Sequence, residues 1–152
     1  MAIKTSLNYS PNFNPEKRKA NQIKFLIFHY TGMRTEKAAI KRLTDIKSEV
    51  SSHYLINQKG EIITLVPNLY IAWHAGKSRW KNYESLNKNS IGIEITNPGH
   101  SFMYKKFSKQ QILSLIKLTK FLIKKYKINQ KNILGHSDIA PNRKKDPGEK
   151  FP

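Results

Sequence analysis

Short apolar stretches recur along the chain and predict several β-strands. Residues 23–30 form a near-continuous apolar run, which is typical of a strand covered on both faces. Residues 52–57 and 61–66 flank a glycine-containing turn and predict a β-hairpin. Residues 90–96 alternate between isoleucine and small or polar side chains, which predicts a strand with one apolar face. A further short strand is expected at residues 132–134.

Two segments carry the spacing of apolar residues that indicates a helix. Thr35 can cap a first helix. Its apolar positions are Ala39, Leu43, Ile46 and Val50. Ser108 and Gln111 form a capping box at the start of a second helix. The apolar stripe predicted for the second helix consists of Ile112, Leu115, Ile116, Thr119, Leu122, Ile123 and Tyr126.

Strands interspersed with helices predict an α/β fold with one central sheet. The length of 152 residues fits one domain. Residues 1–22 are mostly polar, contain two prolines, and predict an irregular lead-in packed on the domain that residues 23–152 form. Residues 67–83 predict a long loop that carries Trp73 and His74.

The chain is strongly basic, with a formal net charge of +18 from 28 basic and 10 acidic residues. Such an excess can bind nucleic acid, an anionic membrane face or an anionic cell-wall polymer, and compositional drift toward lysine is the alternative explanation. Only five of the 28 basic residues are arginine, which direct readout of bases favours. We therefore expect no specific nucleic-acid partner.

Composition excludes several kinds of site. The chain has no cysteine, which excludes disulfides, thiolate zinc ligands and cysteine nucleophiles. No apolar run approaches the ~20 residues needed to cross a bilayer, so no membrane span is expected. The N-terminal residues show no signal-peptide pattern.

Two histidines and an acid have the chemistry of a metal site. His29 ends the first apolar run, His136 follows the last predicted strand, and Asp146 lies ten residues after His136. Catalytic zinc uses three protein ligands and an open position. Glu94 also lies near the end of a predicted strand, and the carboxyl ends of parallel strands form sites in α/β sheets. These groups could therefore meet at one sheet edge.

Three other polar residues have structural interpretations. Asp138 lies two residues after His136 and can accept local backbone hydrogen bonds that brace its loop. His53 lies in a short predicted strand and is expected to be structural. His100 belongs to no motif and is expected on the surface.

Several motifs occur in a fixed order over residues 23–152. They are His29–Thr31, Ser52–Leu55, Ala72–Gly76, Ser90–Ile95, Gly135–Pro141, Arg143–Gly148 and Phe151–Pro152. Together they resemble the zinc-dependent N-acetylmuramoyl-L-alanine amidases of the AmiD and AmpD group, whose superfamily includes the peptidoglycan recognition proteins. The resemblance implies a single domain with a central mixed β-sheet flanked by helices.

The resemblance also implies an activity and roles for individual residues. The reaction is hydrolysis of the amide between N-acetylmuramic acid and L-alanine in peptidoglycan or muropeptides. His29, His136 and Asp146 match the zinc ligands of the family. Glu94 matches the general base, and Lys144 matches the cation that stabilises the oxyanion.

Three residues are further candidates for substrate binding. Trp73 and His74 could line the groove, although simple loop packing explains them equally well. Arg79 could pair with a peptide carboxylate. The chain departs from the family pattern at Asn142, where glycine is common. The pattern also usually continues beyond Pro152, so a longer native chain is expected.

Two other functions remain open at this point. Some members of the superfamily bind peptidoglycan without catalysis, and a basic nucleic-acid-binding protein would account for the charge but not for the motifs. For the amidase we expect a monomer with a peptidoglycan or muropeptide partner. Its function indicates the cell envelope or periplasm, with a cytoplasmic recycling role as the alternative.

Overall fold

The computed structural model describes residues 2–152, and its centre is a six-stranded β-sheet. Within these residues the strands are β1 (Ser6–Leu7), β2 (Phe13–Asn14), β3 (Phe25–Tyr30), β4 (Tyr54–Ile56), β5 (Ile62–Thr64), β6 (Ile71–Ala72), β7 (Arg79–Trp80), β8 (Tyr83–Glu84), β9 (Ser90–Ile95) and β10 (Ile133–Gly135). The α-helices of the same range are α1 (Glu36–Thr44), α2 (Lys109–Tyr126) and α3 (His136–Ile139). Strands β2 and β6 form one small separate sheet, and β7 and β8 form another.

The central sheet is mixed and has the strand order β1-β5-β4-β9-β3-β10. Strand β3 runs parallel to both β9 and β10, and β4 runs parallel to β9. Strands β4 and β5 form the antiparallel hairpin that the sequence predicts. The expected α/β fold with a mixed sheet and flanking helices is confirmed. Its topology brings the carboxyl ends of β9, β3 and β10 to one edge.

The two faces of the central sheet pack against different elements. On one face, Leu26, Phe28 and the isoleucines of β9 pack against α2 in the main apolar cluster. On the other face, Phe25 and Ile27 pack in a second cluster with residues of α3 and of the loop before β9. Because side chains alternate along a strand, His29 lies on the same face as Phe25 and Ile27. His29 is therefore on the face opposite α2.

The N-terminal segment is tied to the rest of the molecule at several points. Strand β1 extends the central sheet beside β5, and β2 pairs with β6. The buried Arg18 donates hydrogen bonds to the backbone carbonyls of Asn68, Asn87 and Lys88. Burial lowers the pKa of Arg18 to about 10, so the guanidinium is still charged at neutral pH. Charge-assisted hydrogen bonds of this kind stabilise the packing of the N-terminal segment against the loops that carry these carbonyls.

Helix α1 ends earlier than the sequence pattern predicts. Thr35 caps it as expected, and its hydroxyl accepts a hydrogen bond from a backbone N–H of the first turn. The helix stops before Asp45, which has an extended backbone and caps a following 3₁₀ turn with its carboxylate. The prediction that Ile46 and Val50 continue the helical stripe is therefore wrong, and Ile46 is 69% exposed. A short acidic side chain favours this break because it competes for backbone donors.

The capping box of α2 is confirmed, but its buried face is rotated from the predicted stripe. Leu118 is fully buried, whereas Ile116 is 45% exposed. Gln111 sets this rotation, since its side chain accepts from the Ser108 N–H at 2.9 Å and donates to the Thr96 carbonyl at 2.7 Å. A count of apolar positions does not register a glutamine that is buried through hydrogen bonds. Neither α2 nor any other helix of the described residues is long and apolar enough to cross a membrane.

We expect Leu118→Ala to lower the free energy of unfolding by about 2–5 kcal/mol, because it removes a buried side chain from the main cluster. Leu113→Ala is the matched control on the same helix. Leu113 is 56% exposed, so its truncation should change stability by no more than about 0.5 kcal/mol. Urea unfolding followed by circular dichroism measures both changes, and equal losses would contradict the orientation of α2.

Candidate metal centre and active site

Three buried side chains from distant parts of the chain meet at the carboxyl edge of the sheet. His29 lies near the end of β3, His136 begins α3 directly after β10, and Asp146 lies in the loop that follows. The Nδ1 atom of His29 lies 3.0 Å from Asp146 Oδ2 and 3.0 Å from His136 Nδ1. The distance from His136 Nδ1 to Asp146 Oδ2 is 3.2 Å. One potential ligand atom of each residue therefore faces the same small volume.

The register of the parallel strands explains why the two histidines meet. Gly135 of β10 lies opposite Phe28 of β3, so the next residue, His136, leaves the sheet beside His29. On the other side of β3, Glu94 of β9 lies opposite His29. The three residues that the sequence places at strand ends are therefore neighbours in space.

A returning loop brings the acid to the histidines. The Ser137 N–H donates to the backbone carbonyl of Asp146 at 2.9 Å, which fixes the end of the loop beside α3. Asp138 is not part of the cluster, because its carboxylate accepts a hydrogen bond from the Gly135 N–H at 2.7 Å. The nearer acid braces the start of α3, and the farther acid reaches the histidines.

A backbone hydrogen bond fixes the tautomer of His136, and burial favours the neutral form of His29. His136 Nε2 lies 2.9 Å from the carbonyl oxygen of Ala75. That oxygen can only accept, so the proton of the neutral ring is on Nε2 and Nδ1 presents a lone pair. Burial lowers the pKa of His29 and opposes its protonation. Neutral imidazole and ionised carboxylate are the forms that bind metals.

This set of ligand atoms fits a divalent metal ion. Two imidazole nitrogens and one carboxylate oxygen are a combination found in metalloenzymes. Ligand atoms held about 2.0–2.2 Å from one tetrahedral ion lie about 3.3–3.6 Å apart, close to the 3.0–3.2 Å seen among the three side chains. All three residues also line a cavity of about 540 Å³. A metal held by them would be accessible from that cavity.

Glu94 faces the same cavity. Its Oε2 atom is buried and has no hydrogen-bond partner within residues 2–152. Burial raises the pKa of Glu94 well above its ordinary value, and the Asp146 carboxylate adds to this shift. Lys144 and Arg42 act in the opposite direction. Leaving a buried carboxylate oxygen unpaired costs free energy, which indicates a functional rather than a structural group.

Basic side chains surround the cavity. Its lining includes Arg42, Arg143, Lys144 and Lys145. The Arg143 guanidinium donates to the backbone carbonyls of Ala75 and Lys77, both at 2.8 Å, and so also holds the loop that contacts His136. Lys144 is half-buried and lies close enough to Glu94 and His29 to influence both pKa values. The resulting positive potential suits an anionic ligand.

The three candidate substrate-binding residues lie in different places. Trp73 is half-buried and lines the cavity, and its indole N–H donates to Asn14 Oδ1 at 2.6 Å. His74 is buried behind His29, with its Nδ1 atom 3.0 Å from His29 Nε2. Arg79 is exposed on β7, 4.0 Å from Glu84, and lines a separate surface cavity. The structure thus brings Trp73 and His74 to the site but not Arg79.

Arg42 and His100 line the cavity but were not predicted as site residues from the sequence. Arg42 lies three positions after Ala39, which also lines the cavity, and this helical spacing is the signal that could have found it. His100 is exposed as expected, yet its side chain lines the cavity and joins Tyr30 to Glu149 at distances of 3.0 and 2.8 Å. No local pattern marks His100, because its partners are distant in sequence.

Comparison with known proteins assigns the family. A family model described as N-acetylmuramoyl-L-alanine amidase matches residues 19–149. The chain belongs to this amidase family. N-acetylmuramoyl-L-alanine amidase AmiD of Escherichia coli is 42% identical over 143 residues, which are 86% of this chain and 51% of AmiD. The 1,6-anhydro-N-acetylmuramyl-L-alanine amidase AmpD of the same species is 43% identical over 102 residues, 67% of this chain and 54% of AmpD.

A solved amidase structure has the same fold. The complex of E. coli AmiD with the substrate anhydro-N-acetylmuramic acid-L-Ala-D-gamma-Glu-L-Lys matches with a TM-score of 0.78 and 41% identity. The match covers 86% of this chain and 55% of that chain. The chain therefore spans about half the length of these relatives. The amidase family match includes His29, Glu94, His136 and Asp146.

The two acids of the C-terminal loop give a direct test of the metal centre. We expect Asp146→Ala to lose bound metal, because two remaining ligands hold an ion poorly. Asp138→Ala should keep its metal and lose about 0.5–2 kcal/mol of stability, the effect of removing a helix cap. Metal per chain, measured by elemental analysis of both purified variants, distinguishes them. A metal-free Asp138→Ala beside a loaded Asp146→Ala would contradict the assignment.

Proposed function

We propose that this chain is a zinc-dependent N-acetylmuramoyl-L-alanine amidase. The observation that carries the proposal is the buried cluster of His29, His136 and Asp146 beside Glu94, whose Oε2 has no hydrogen-bond partner in the described part of the chain, all in one cavity of an amidase-family fold. The reaction adds water across the amide between N-acetylmuramic acid and L-alanine. Its products are the lactyl carboxylate of the sugar and the free amino group of the peptide.

We assign the metal as zinc on the chemistry of the ligand atoms. Two imidazoles with one carboxylate are typical of catalytic zinc, whereas calcium and magnesium prefer oxygen ligands alone. When bound, zinc supplies a Lewis acid that polarises the scissile carbonyl and makes water more acidic. The residues of the chain then have to place the amide, move one proton and stabilise negative charge.

Glu94 is proposed as the general base and acid. Its buried Oε2 has no hydrogen-bond partner among residues 2–152 and is therefore available to accept a proton from the attacking water. The same carboxyl then delivers that proton to the amide nitrogen as the C–N bond breaks, so that the leaving group departs as a neutral amine. Proton transfer of this kind contributes about 10²–10⁴-fold to rate.

Lys144 is proposed to stabilise the oxyanion. Negative charge develops on the carbonyl oxygen when water adds, and a fixed cation facing the cavity lowers the energy of that state. The backbone N–H of Lys144 donates to the Ala140 carbonyl at 2.9 Å, and this bond holds the backbone of the returning loop that also carries Asp146. The loop therefore supplies both a metal ligand and a cation.

The cavity and the relatives both support a muropeptide as the substrate. The AmiD complex contains an anhydromuropeptide with a γ-linked glutamate, and such a residue keeps a free α-carboxylate. Arg42, Arg143 and Lys145 around the cavity would attract that charge. Trp73 would cover the sugar or the peptide. Arg79 lies outside the cavity and would contact only a longer substrate.

We propose that the partner is peptidoglycan or a muropeptide, bound by a monomer. Such a substrate indicates the cell envelope or periplasm as the site of action, and recycling of fragments in the cytoplasm is the alternative. A non-catalytic binding module would not need the Glu94 carboxylate beside the metal ligands in this cavity.

Removal of the metal tests the mechanism as a whole. We expect a chelator to abolish release of stem peptide from an anhydromuropeptide, because the proposed reaction needs the metal and the chain has no cysteine that could act as nucleophile in its place. Zinc added to the dialysed protein should restore release, which chromatography of the products measures. Full activity in a sample shown to be metal-free would overturn the proposal, and substrate binding without release would favour the binding module.

Substitution of the base tests the role of Glu94. Glu94→Gln keeps the shape of the side chain and removes its proton-accepting capacity, so we expect turnover to fall by at least about 100-fold. Folding and metal content should be retained. Glu84→Gln is the matched control, since Glu84 is exposed on β8 and lines no part of this cavity. Near-normal turnover by metal-loaded Glu94→Gln would assign the base elsewhere.

A further inference from the structure

A chain of hydrogen bonds runs from the backbone to His29 through a histidine that lines the cavity from behind. It begins at Ser90, whose hydroxyl donates to the Leu86 carbonyl at 2.7 Å. A hydroxyl has a single proton, so Ser90 Oγ must accept from His74 Nε2, which lies 3.1 Å away. The proton of the neutral His74 ring is therefore on Nε2. Its Nδ1 atom is left with a lone pair.

The lone pair on His74 Nδ1 determines which ring nitrogen of His29 carries the proton. His29 Nε2 lies 3.0 Å from His74 Nδ1, and a hydrogen bond between them requires the proton to be on His29 Nε2. The opposite nitrogen, His29 Nδ1, then has a lone pair directed at the cluster. It lies 3.0 Å from both His136 Nδ1 and Asp146 Oδ2.

The His74 ring is fixed in place by its surroundings, so it can hold His29 in the form protonated on Nε2. It is buried, and it packs directly over Gly92, where a Cβ atom would overlap the ring. The backbone N–H groups of His74 and Ala75 both donate to Asn87 Oδ1, at 3.1 and 2.7 Å. Glycine at position 92 therefore leaves room for the ring. The ring cannot turn to offer a different nitrogen without losing these contacts.

Ala75, the residue after His74, fixes which ring nitrogen of His136 carries the proton. The Ala75 carbonyl accepts from His136 Nε2 at 2.9 Å, and Arg143 donates to that carbonyl at 2.8 Å. With both rings protonated on Nε2, the three atoms of the cluster that face one another are all acceptors. Their mutual repulsion is relieved only by a cation or an added proton.

We propose that His74 is a positioning residue that, together with the Ala75 carbonyl, orients both histidine ligands with their Nδ1 lone pairs toward the metal. The proposal rests on the metal centre described above and gives the segment Trp73–Gly76 a defined role. Groups that hydrogen-bond to ligating histidines typically change metal affinity by about 10–100-fold. His74 does not touch the substrate in this role.

The test compares two substitutions at position 74. His74→Leu fills similar volume but removes the acceptor, and we expect zinc affinity to fall about 10–100-fold. His74→Asn keeps an oxygen acceptor near the position of Nδ1 and should recover most of this loss. Affinity is measured by competition with a chromophoric chelator, with folding of each metal-free variant checked by circular dichroism and urea unfolding.

His53 offers a matched control. It is fully buried and lies with its ring centroid 5.8 Å from that of His74. Its ring nitrogens contact the Gly92 N–H, the Tyr70 carbonyl and the Arg18 guanidinium rather than a ligand. His53→Asn should lower the stability of the metal-free protein and leave zinc affinity unchanged. Unchanged affinity in a folded His74→Leu, or equal weakening in His74→Asn and His74→Leu, would overturn the positioning role.

A second measurement covers the case in which His74→Leu does not fold. Long-range ¹H–¹⁵N spectra of the metal-free wild type report which ring nitrogen of His29 is protonated, and we expect Nε2. A His29 ring protonated on Nδ1 and not on Nε2 would overturn the proposal. Neither readout uses substrate, so a failure of the amidase activity would be distinguished from a failure of this role.

Discussion

The parallel pairing of β3 with β9 and β10 is the constraint on which the site depends. This register sets His29 opposite Glu94 and lets His136 leave the sheet beside His29. A slip of one residue would turn the His29 side chain to the face covered by α2, since side chains alternate along a strand. The large apolar clusters on both faces make such a slip costly. The strand register that buries the core residues is therefore the same register that brings the site residues together.

A second constraint is electrostatic. The chain has only ten acidic residues, yet Glu94 and Asp146 both line one cavity. Two carboxylates so placed would repel each other, and burial raises the cost. The surrounding basic side chains offset part of this cost, and a metal held by Asp146 would offset more.

Much of this protein followed from the sequence by itself. Hairpin turns, helix caps and strands with one apolar face depend on neighbours a few residues away, so β4, β5, β9 and the capping box of α2 could be recognised locally. The choice of His29, His136 and Asp146 as a group rested on residue chemistry and on the order of the motifs. The sequence also separated Asp138 from Asp146, because a short polar side chain close to a turn bonds to its own backbone.

Tertiary structure alone decided the remainder. The rotation of α2 depends on a bond from Gln111 to the carbonyl of Thr96, and the cavity gains His100 through contacts with residues far along the chain. Arg79 lies outside the cavity because the hairpin of β7 and β8 turns it to solvent. The protonated nitrogen of His29 is set by a hydrogen-bond chain through His74. Composition and periodicity describe single segments, whereas these features arise where segments distant in sequence supply donors, acceptors and space to one another.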